Sequence, residues 1–242
     1  MTEEFFNVRY HEIWQDKSVP VWILQNYAQQ AAAIDAKTFS LGWEDFPQGV
    51  AWVLTKISFR LTGKISSVQK IKVKTWHVSS DKIYSRRDFI IYDEYGAEVA
   101  KAVSKWLILD LAKHRIIRTP QFLLEKKDCA LKFAMQEIER PAPAKFSAEP
   151  VMQTVITSRL EDLDLNGHVN NVHFTSWALE GVPPLIWETK TLEYISTDFK
   201  SELKAGEIIT VKTYDNLDGS FWHELVKQSD SKVAAVAFSK WI

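Results

Sequence analysis

The order of predicted secondary structure occurs twice in this chain, once on each side of a segment rich in proline and charge. Each half begins with a strand, continues with one helix and ends with four strands joined by short turns. Because helices do not alternate with the strands, we expect antiparallel sheets instead of a parallel βαβ sheet. Residues 126–150 break the pattern and are predicted to be a linker. We therefore expect two domains, residues 1–125 and residues 151–242.

Alternation of apolar and polar residues predicts the strands. In residues 70–78, Ile71, Val73 and Thr75 alternate with lysines, which is the pattern of a half-buried strand. Apolar residues at helical spacing predict the two helices, over 19–37 and 168–180. The predicted strands are 5–14, 51–61, 70–78, 84–92 and 98–109 in the first half, and 151–160, 190–199, 206–215, 220–228 and 232–242 in the second.

Short matches in sequence accompany the repeated order. Residues 102–106 read AVSKW and residues 237–241 read AFSKW, while residues 73–76 read VKTW and residues 211–214 read VKTY. Together with the order of elements, these matches favour the duplication of one domain. The sequence therefore predicts an α+β fold made of two fused copies, each an antiparallel sheet that holds one long helix.

Composition excludes several classes of protein. The formal net charge of −1 does not suit a globally basic nucleic-acid binder. The single cysteine, Cys129, excludes an internal disulfide and cysteine-cluster metal sites. The histidines lack metal-binding spacings, and glycine-rich nucleotide motifs and Gly-x-Ser-x-Gly are absent, so we expect no metal, no nucleotide cofactor and no α/β-hydrolase. No signal peptide and no apolar run of about 18 residues are found, which predicts a cytoplasmic protein without a membrane span.

The densest polar cluster reads DLDLNGHVNN at residues 162–171, between a predicted strand and a predicted helix. A carboxylate such as Asp164 can activate water or attack an acyl carbon, and His168 can move protons near neutral pH. Asn166 can position water or the carboxylate. The first N–H groups of the 168–180 helix would stabilise an oxyanion. Ordinary turn and capping chemistry is an equally simple interpretation of the same residues.

The stretch DLDLNGHVNNVHFTSWALEGVP, residues 162–183, resembles the core motif of the acyl-acyl-carrier-protein (acyl-ACP) thioesterases, a double hot-dog family. Residues 51–110, the LEY at 192–194 and the linker position also resemble that family, so the resemblance covers nearly the whole chain. It implies two tandem hot-dog domains packed as a pseudo-dimer. It also implies hydrolysis of fatty acyl-ACP to free fatty acid and ACP in fatty acid biosynthesis, with water as co-substrate and no cofactor.

Within this resemblance, the family's Asp-x-Asn-x-His falls on Asp164, Asn166 and His168. A Glu-Cys pair often follows LEY in the family, and this chain has Thr197-Asp198 there. Asp198 is therefore a candidate for an additional acidic residue, and a papain-like thiol mechanism cannot operate at this position. Cys129 lies in the predicted linker and is interpreted as structural or incidental. The absence of a plastid transit peptide suggests a bacterial-type member.

The Asp-x-Asn-x-His motif occurs once. The corresponding stretch of the first half, Asp16 to Pro20, has an aspartate but no following asparagine or histidine. We therefore expect one catalytic site per chain, in the second domain. The first domain would be structural and would shape the acyl pocket with its helix and with three tryptophans, Trp22, Trp43 and Trp52.

An acyl carrier protein is the expected partner, and carriers are acidic. Two basic clusters could dock one: Arg86-Arg87, and Lys113-His114-Arg115 with Arg118. Ordinary surface charge is an equally good interpretation of either cluster. The sequence leaves open a homodimer of the whole chain.

Three other functions are compatible with parts of the sequence. The shorter Gly-His-Val-Asn-Asn also occurs in single hot-dog acyl-CoA thioesterases. Hot-dog hydratases resemble the motif but carry Asn-Pro and one more residue before the histidine, so the spacing of Asn166 and His168 argues against them. A non-catalytic acyl-ligand sensor would usually carry a DNA-binding segment, and no such segment precedes residue 5.

Overall fold

The computed structural model describes residues 1–42, 44–63, 65, 70–113, 115–125, 133–136 and 146–242. The chain divides into two compact units, Met1–Glu137 and Ile138–Ile242. In each unit a strand, a short 3-10 turn and a helix precede a run of antiparallel strands. The repeated order predicted from the sequence is therefore confirmed.

The first unit is an antiparallel sheet with a long helix. Its strands lie in the order β1-β3-β4-β5-β2, with β6 paired to β5. The helix α1 packs against β1 and β3. The elements are β1 (Thr2–Asn7), α1 (Val21–Lys37), β2 (Val50–Leu61), β3 (Lys70–Ser80), β4 (Tyr84–Tyr92), β5 (Glu98–Asp110), β6 (Arg115–Ile117) and α2 (Gln121–Glu125).

The second unit repeats this plan. Its strands lie in the order β8-β11-β10-β9-β7, and α3 packs against β8, β9, β10 and β11. Phe174, Trp177 and Ala178 of α3 are buried against Ile209 and Val211 of β9. The elements are β7 (Met152–Thr157), α3 (Asn171–Glu180), α4 (Pro184–Thr189), β8 (Leu192–Phe199), β9 (Ile208–Asp215), β10 (Ser220–Lys227) and β11 (Val233–Trp241).

Residues that match in sequence between the two halves also occupy matching positions in the structure. The indole Nε1 of Trp106 donates a hydrogen bond to Oγ of Ser104 at 2.6 Å. In the second unit, Nε1 of Trp241 donates to Oγ of Ser239 at 3.0 Å. The same local contact therefore recurs in β5 and β11, as duplication of one domain predicts.

The first strand of each unit is shorter than its apolar pattern predicted. The strands β1 and β7 end at Asn7 and Thr157, and the 3-10 turns Tyr10–Glu12 and Leu160–Asp162 follow them. In each turn an acidic side chain accepts the N–H of the arginine that precedes the turn. These bonds close the chain into a turn, which alternation alone does not reveal.

Most of the predicted linker, 126–150, lies outside the described residues, and so does Cys129. The described ends are packed. The backbone N–H of Ala134 donates to Oδ2 of Asp88 at 2.8 Å. Phe146 is buried, with its ring 6.2 Å from that of Trp222. Each end therefore contacts the unit to which it is joined.

Among the described residues, no helix combines the length and the apolar character needed to cross a bilayer.

Candidate active site

Residues 163–169, called the site loop below, connect the second 3-10 turn to α3. The N–H of Asp164 donates to the carbonyl of His168 at 2.7 Å, and the N–H of Gly167 donates to the carbonyl of Asp164 at 3.0 Å. Gly167 has φ +75°, a left-handed conformation that glycine adopts without strain. The loop therefore folds back on itself and brings the backbones of Asp164 and His168 together.

The carboxylate of Asp164 is held by the backbone of its own loop. Its Oδ1 accepts the N–H of Asn166 at 2.8 Å and that of His168 at 3.4 Å. Among the described residues, no donor is bonded to Oδ2. One oxygen thus fixes the orientation of the half-buried carboxylate, while the other can take a proton or attack a ligand.

His168 lies against a carboxylate that the sequence interpretation missed. Its Nε2 is 3.3 Å from Oε2 of Glu202, in the loop after β8. The next residue, Val169, donates its N–H to the carbonyl of Leu203 at 2.8 Å, which fixes the two loops side by side. No motif contains Glu202, and the contact depends on the packing of two loops that are distant in sequence.

Asn166 is exposed at the tip of the site loop. Its backbone N–H bonds to Asp164, so the residue is anchored while its amide faces solvent. A side chain in this position can bind water or a polar group of a ligand.

The expected helix start was wrong. The helix α3 begins at Asn171, and Asn170 is its N-cap, with a side chain that accepts the N–H of Val172 at 3.2 Å. The turn at Gly167 and the extended backbone of Asn170 keep the residues before it out of the helix. The N–H groups that were expected to bind an oxyanion already donate hydrogen bonds within the protein. The N–H of His168 bonds to Asp164, that of Val169 bonds to Leu203, and that of Asn170 bonds to Asp162.

A second histidine–carboxylate contact lies at the base of the site loop. Nδ1 of His173, in the first turn of α3, is 3.5 Å from Oδ1 of Asp162. Burial lowers the pKa of His173 below its ordinary value, although Asp162 and Glu161 act in the opposite direction. The sequence analysis assigned no role to either member of this pair.

The positions of the family's Glu-Cys pair lie in β8. Thr197 is buried, and its Oγ1 is 3.1 Å from Oγ1 of Thr175 on α3, so it ties the strand to the helix. Asp198 is half-buried, opposite Val236 of β11. Its role as an additional acidic residue stays a prediction.

The first unit contains the backbone counterpart of the site loop. The N–H of Trp14 donates to the carbonyl of Ser18, and that of Lys17 donates to the carbonyl of Trp14, both at 2.8 Å. Lys17 has φ +63°, as Gly167 has a positive φ in the second unit. In this register Trp14, Asp16 and Ser18 stand where the second unit has Asp164, Asn166 and His168. The aspartate of the first unit therefore corresponds to the asparagine of the motif.

The two basic clusters differ in how far their charges are already paired. Nε of Arg86 is 2.7 Å from Oδ1 of Asp88, and Nη1 of Arg87 is 2.7 Å from Oδ2 of Asp35. Both acids are buried, and the side chain of Arg87 is only 11% exposed. This cluster is therefore neutralised within the first unit and is a poor docking surface.

The other cluster is open to solvent. Arg115 and Arg118 are exposed. Lys113 is 71% exposed and lies 3.3 Å from Asp110. His114 lies outside the described residues. Three cations thus stand on or beside β6.

The tryptophans expected at the acyl pocket pack within the first unit. The rings of Trp22 and Trp14 meet edge to face at 5.2 Å. Nε1 of Trp52 donates to the carbonyl of Leu41 at 3.1 Å. Trp43 lies outside the described residues.

In the part of the chain that the structure describes, no three His, Cys, Asp or Glu residues are grouped so that they could hold a metal ion.

Comparison with known families gives two matches that together cover nearly the whole chain. Residues 1–126 match the acyl-ACP thioesterase N-terminal domain, and residues 147–242 match the acyl-ACP thioesterase C-terminal domain.

Curated relatives carry names of the same kind. Oleoyl-acyl carrier protein thioesterase 1, a chloroplastic protein of Arabidopsis thaliana, is 25% identical over 86% of this chain and 62% of its own length. A chloroplastic palmitoyl-acyl carrier protein thioesterase of Cuphea hookeriana is 26% identical over 81% of this chain and 50% of its own length. The chain thus spans between half and just under two thirds of these relatives.

Among solved structures, an acyl-ACP thioesterase from Bacteroides thetaiotaomicron superposes with a TM-score of 0.83. The match covers 100% of this chain and 97% of the other, at 19% identity. This likeness confirms the expected α+β fold class, with two hot-dog domains in one chain.

Proposed function

The chain belongs to the acyl-ACP thioesterase family, and on this premise we propose that it hydrolyses fatty acyl-ACP to a free fatty acid and the carrier protein, as a step of fatty acid biosynthesis. The observation that carries the proposal is the geometry of Asp164. Its carboxylate is oriented through Oδ1, and Oδ2 can accept a proton from water or attack a carbonyl carbon. A preorganised carboxylate on the same loop as a histidine can activate water or attack the carbonyl carbon of a thioester.

In the reaction, the oxygen of water bonds to the thioester carbonyl carbon and the carbon–sulfur bond breaks. The proton that water loses goes to Asp164, and the departing thiolate of the carrier is protonated by way of His168. Asn166 positions the water from the tip of the site loop. Alternatively, a carboxylate oxygen of Asp164 bonds to the thioester carbonyl carbon as the carbon–sulfur bond breaks, and water then attacks the Asp164 carbonyl carbon of the resulting anhydride, which releases the fatty acid and restores the carboxylate. Appearance of ¹⁸O in Asp164 after turnover in labelled water would identify this second route.

We place one catalytic site in each chain, on the second unit. The counterpart loop in the first unit supports this, since Trp14 stands at the position of Asp164 and no histidine follows it. The first unit then serves to shape the acyl pocket. On α1, Ala28 and Ala32 are buried, and bulkier residues at these positions should change chain-length preference if that face borders the acyl chain.

The carrier protein is proposed to dock at Lys113, Arg115 and Arg118. Their exposure supports this, and so does the neutralisation of Arg86 and Arg87 by buried acids. An acidic carrier would be attracted to this surface before its acyl arm reaches the site. A cytoplasmic location and a homodimer of the whole chain stay predictions.

An assay of thiol release from acyl chains of several lengths, each linked to ACP or to coenzyme A, tests the proposal. We expect wild-type protein to hydrolyse carrier-linked substrates faster, and Asp164→Asn to lose activity on both. Faster hydrolysis of the coenzyme A series would favour the acyl-CoA thioesterase alternative. Tight binding of acyl substrates without turnover would favour a non-catalytic binding protein.

A further inference from the structure

Asp162 joins the two ends of the site loop. At the loop's exit, its carbonyl oxygen accepts the N–H of Asn170 at 2.8 Å. At the entry, its Oδ2 accepts the N–H of Arg159 at 2.7 Å. Its other carboxylate oxygen, Oδ1, lies 3.5 Å from Nδ1 of His173 in the first turn of α3. One residue, only 8% exposed, therefore contacts the turn before the loop and the helix after it.

His173 is held in place on its own helix. Its ring packs on the ring of Trp177, one turn later, with centroids 5.9 Å apart, and its side chain is 30% exposed. A carboxylate only accepts hydrogen bonds, so a hydrogen bond between these two side chains requires the hydrogen on Nδ1 of His173. The proposed hydrolysis uses neither of these two side chains.

The first unit uses the same arrangement without the site residues. There, Oε2 of Glu12 accepts the N–H of Arg9 at 2.7 Å and the hydroxyl of Tyr27, on α1, at 2.6 Å. An acid that ends the 3-10 turn and reaches the following helix is thus part of the architecture of both units. Only in the second unit does the enclosed loop carry a carboxylate, an amide and an imidazole.

We propose that His173 is a positioning residue, which holds Asp162 and, through it, both ends of the site loop in the geometry that hydrolysis requires. This inference rests on the proposed function for its kinetic consequence. Small displacements of catalytic groups reduce rates strongly, because the reacting atoms must be closely aligned. Loss of the contact should therefore lower kcat and leave substrate binding nearly unchanged.

Three substitutions at one position separate the Nδ1 contact from ring packing. The amide nitrogen of His173→Asn can replace Nδ1, whereas His173→Gln places its amide further along the side chain and His173→Leu has no donor. We expect the leucine and glutamine variants to lose about tenfold or more in kcat, with KM nearly unchanged, and the asparagine variant to keep most of its activity. Tyr27→Phe, which removes the matching contact in the first unit, should leave kcat unchanged.

Amide hydrogen exchange over residues 163–170 tests the inference independently of activity. We expect faster exchange of this segment in His173→Leu than in wild-type protein, and near-normal exchange in His173→Asn. Unchanged exchange in the leucine variant, or an asparagine variant as impaired as leucine, would overturn the inference. A loss of kcat in Tyr27→Phe equal to that in His173→Leu would also overturn it. If wild-type protein hydrolyses no acyl substrate, the proposed function fails, and the exchange experiment still decides the role of His173.

Discussion

Nε2 of His168 lies 3.3 Å from Oε2 of Glu202, an acid in the loop that follows β8. The site loop supplies the histidine, and a separate loop supplies the carboxylate that orients it. Hydrogen bonding or charge at one nitrogen of a histidine fixes the direction of the ring and the role of the other nitrogen. We therefore expect Glu202→Gln to lower kcat about tenfold, by analogy with the partners that orient metal-ligating histidines. Full activity in this variant would show that the contact has no part in catalysis.

Asp164 and His168 should be required for turnover. Asp164→Asn keeps the shape of the side chain but removes the base, and His168→Ala removes the proton carrier. Each should lower kcat by roughly 10² or more, the scale of losing a positioned acid–base group. Steady-state kinetics on acyl-ACP, with circular dichroism to check folding, measures the effect.

Cys129→Ser is the control and should keep wild-type activity. Near-normal activity in folded Asp164→Asn would remove Asp164 from the mechanism, and inactivation of folded Cys129→Ser would revive a thiol mechanism.

Patterns of neighbouring residues in the sequence predicted the features of the fold that depend mainly on neighbouring residues. Alternation placed β3 almost correctly, since Ile71, Val73 and Thr75 are buried and the lysines between them are only half-buried. The sequence motif also singled out Asp164, Asn166 and His168, which lie on one loop; their catalytic roles stay predictions. The helix start was misplaced, because backbone conformations at Gly167 and Asn170 decide it and their residue types only suggest them.

Tertiary contacts account for the rest of what the sequence missed. Glu202 reaches His168 only because the loop after β8 bonds to Val169. Arg87 reads as a free surface cation in the sequence, yet it is paired with Asp35 on α1, a residue distant along the chain. Neither of these two contacts joins residues at a fixed sequence spacing, so no motif predicts them.

Carrier docking should depend on the open basic cluster and not on Arg86-Arg87. Arg115→Glu and Arg118→Glu should raise KM for carrier-linked substrates, and the effect should grow at low salt because salt screens exposed charges. Lys232→Glu, at a lysine that is 78% exposed in the second unit, is a matched control and should have little effect. KM for small acyl-pantetheine substrates should not change in any variant. Equal effects on carrier-linked and small substrates would show that the cluster does not dock the carrier.

The stability of the fold should fall as the medium is acidified, in part because of His223. Burial lowers the pKa of His223 from its ordinary 6.5 to about 3, and its ring nitrogens lie 2.9 Å from hydroxyl oxygens of Thr213 and Ser239. The unfolded chain therefore binds a proton that the folded chain does not. The contribution of neutral His223 to the free energy of unfolding is present in full above about pH 6.5. It is lost as the pH falls towards 3, at up to about 1.4 kcal/mol per pH unit.

Urea unfolding between pH 4.5 and 7.5 measures this slope. His223→Asn should unfold more easily at pH 7.5, and its stability should depend less steeply on pH. Some slope should remain, since burial also lowers the pKa of His173. Parallel slopes for wild-type protein and His223→Asn would rule out His223 as a source of acid sensitivity.

Each chain should contain one catalytic site. The loop of the first unit repeats the backbone bonds of the site loop, but its residues cannot perform the same reaction, because an indole replaces the carboxylate at Trp14 and a hydroxyl replaces the imidazole at Ser18. Its remaining acid, Asp16, accepts the N–H of Ser18 at 3.0 Å and so serves the turn. Asp16→Ala should therefore destabilise the turn modestly and leave kcat almost unchanged.

Titration with a slowly hydrolysed acyl substrate should give close to one site per chain. Two sites per chain, or a folded Asp16→Ala protein without turnover, would overturn the assignment of catalysis to the second unit alone.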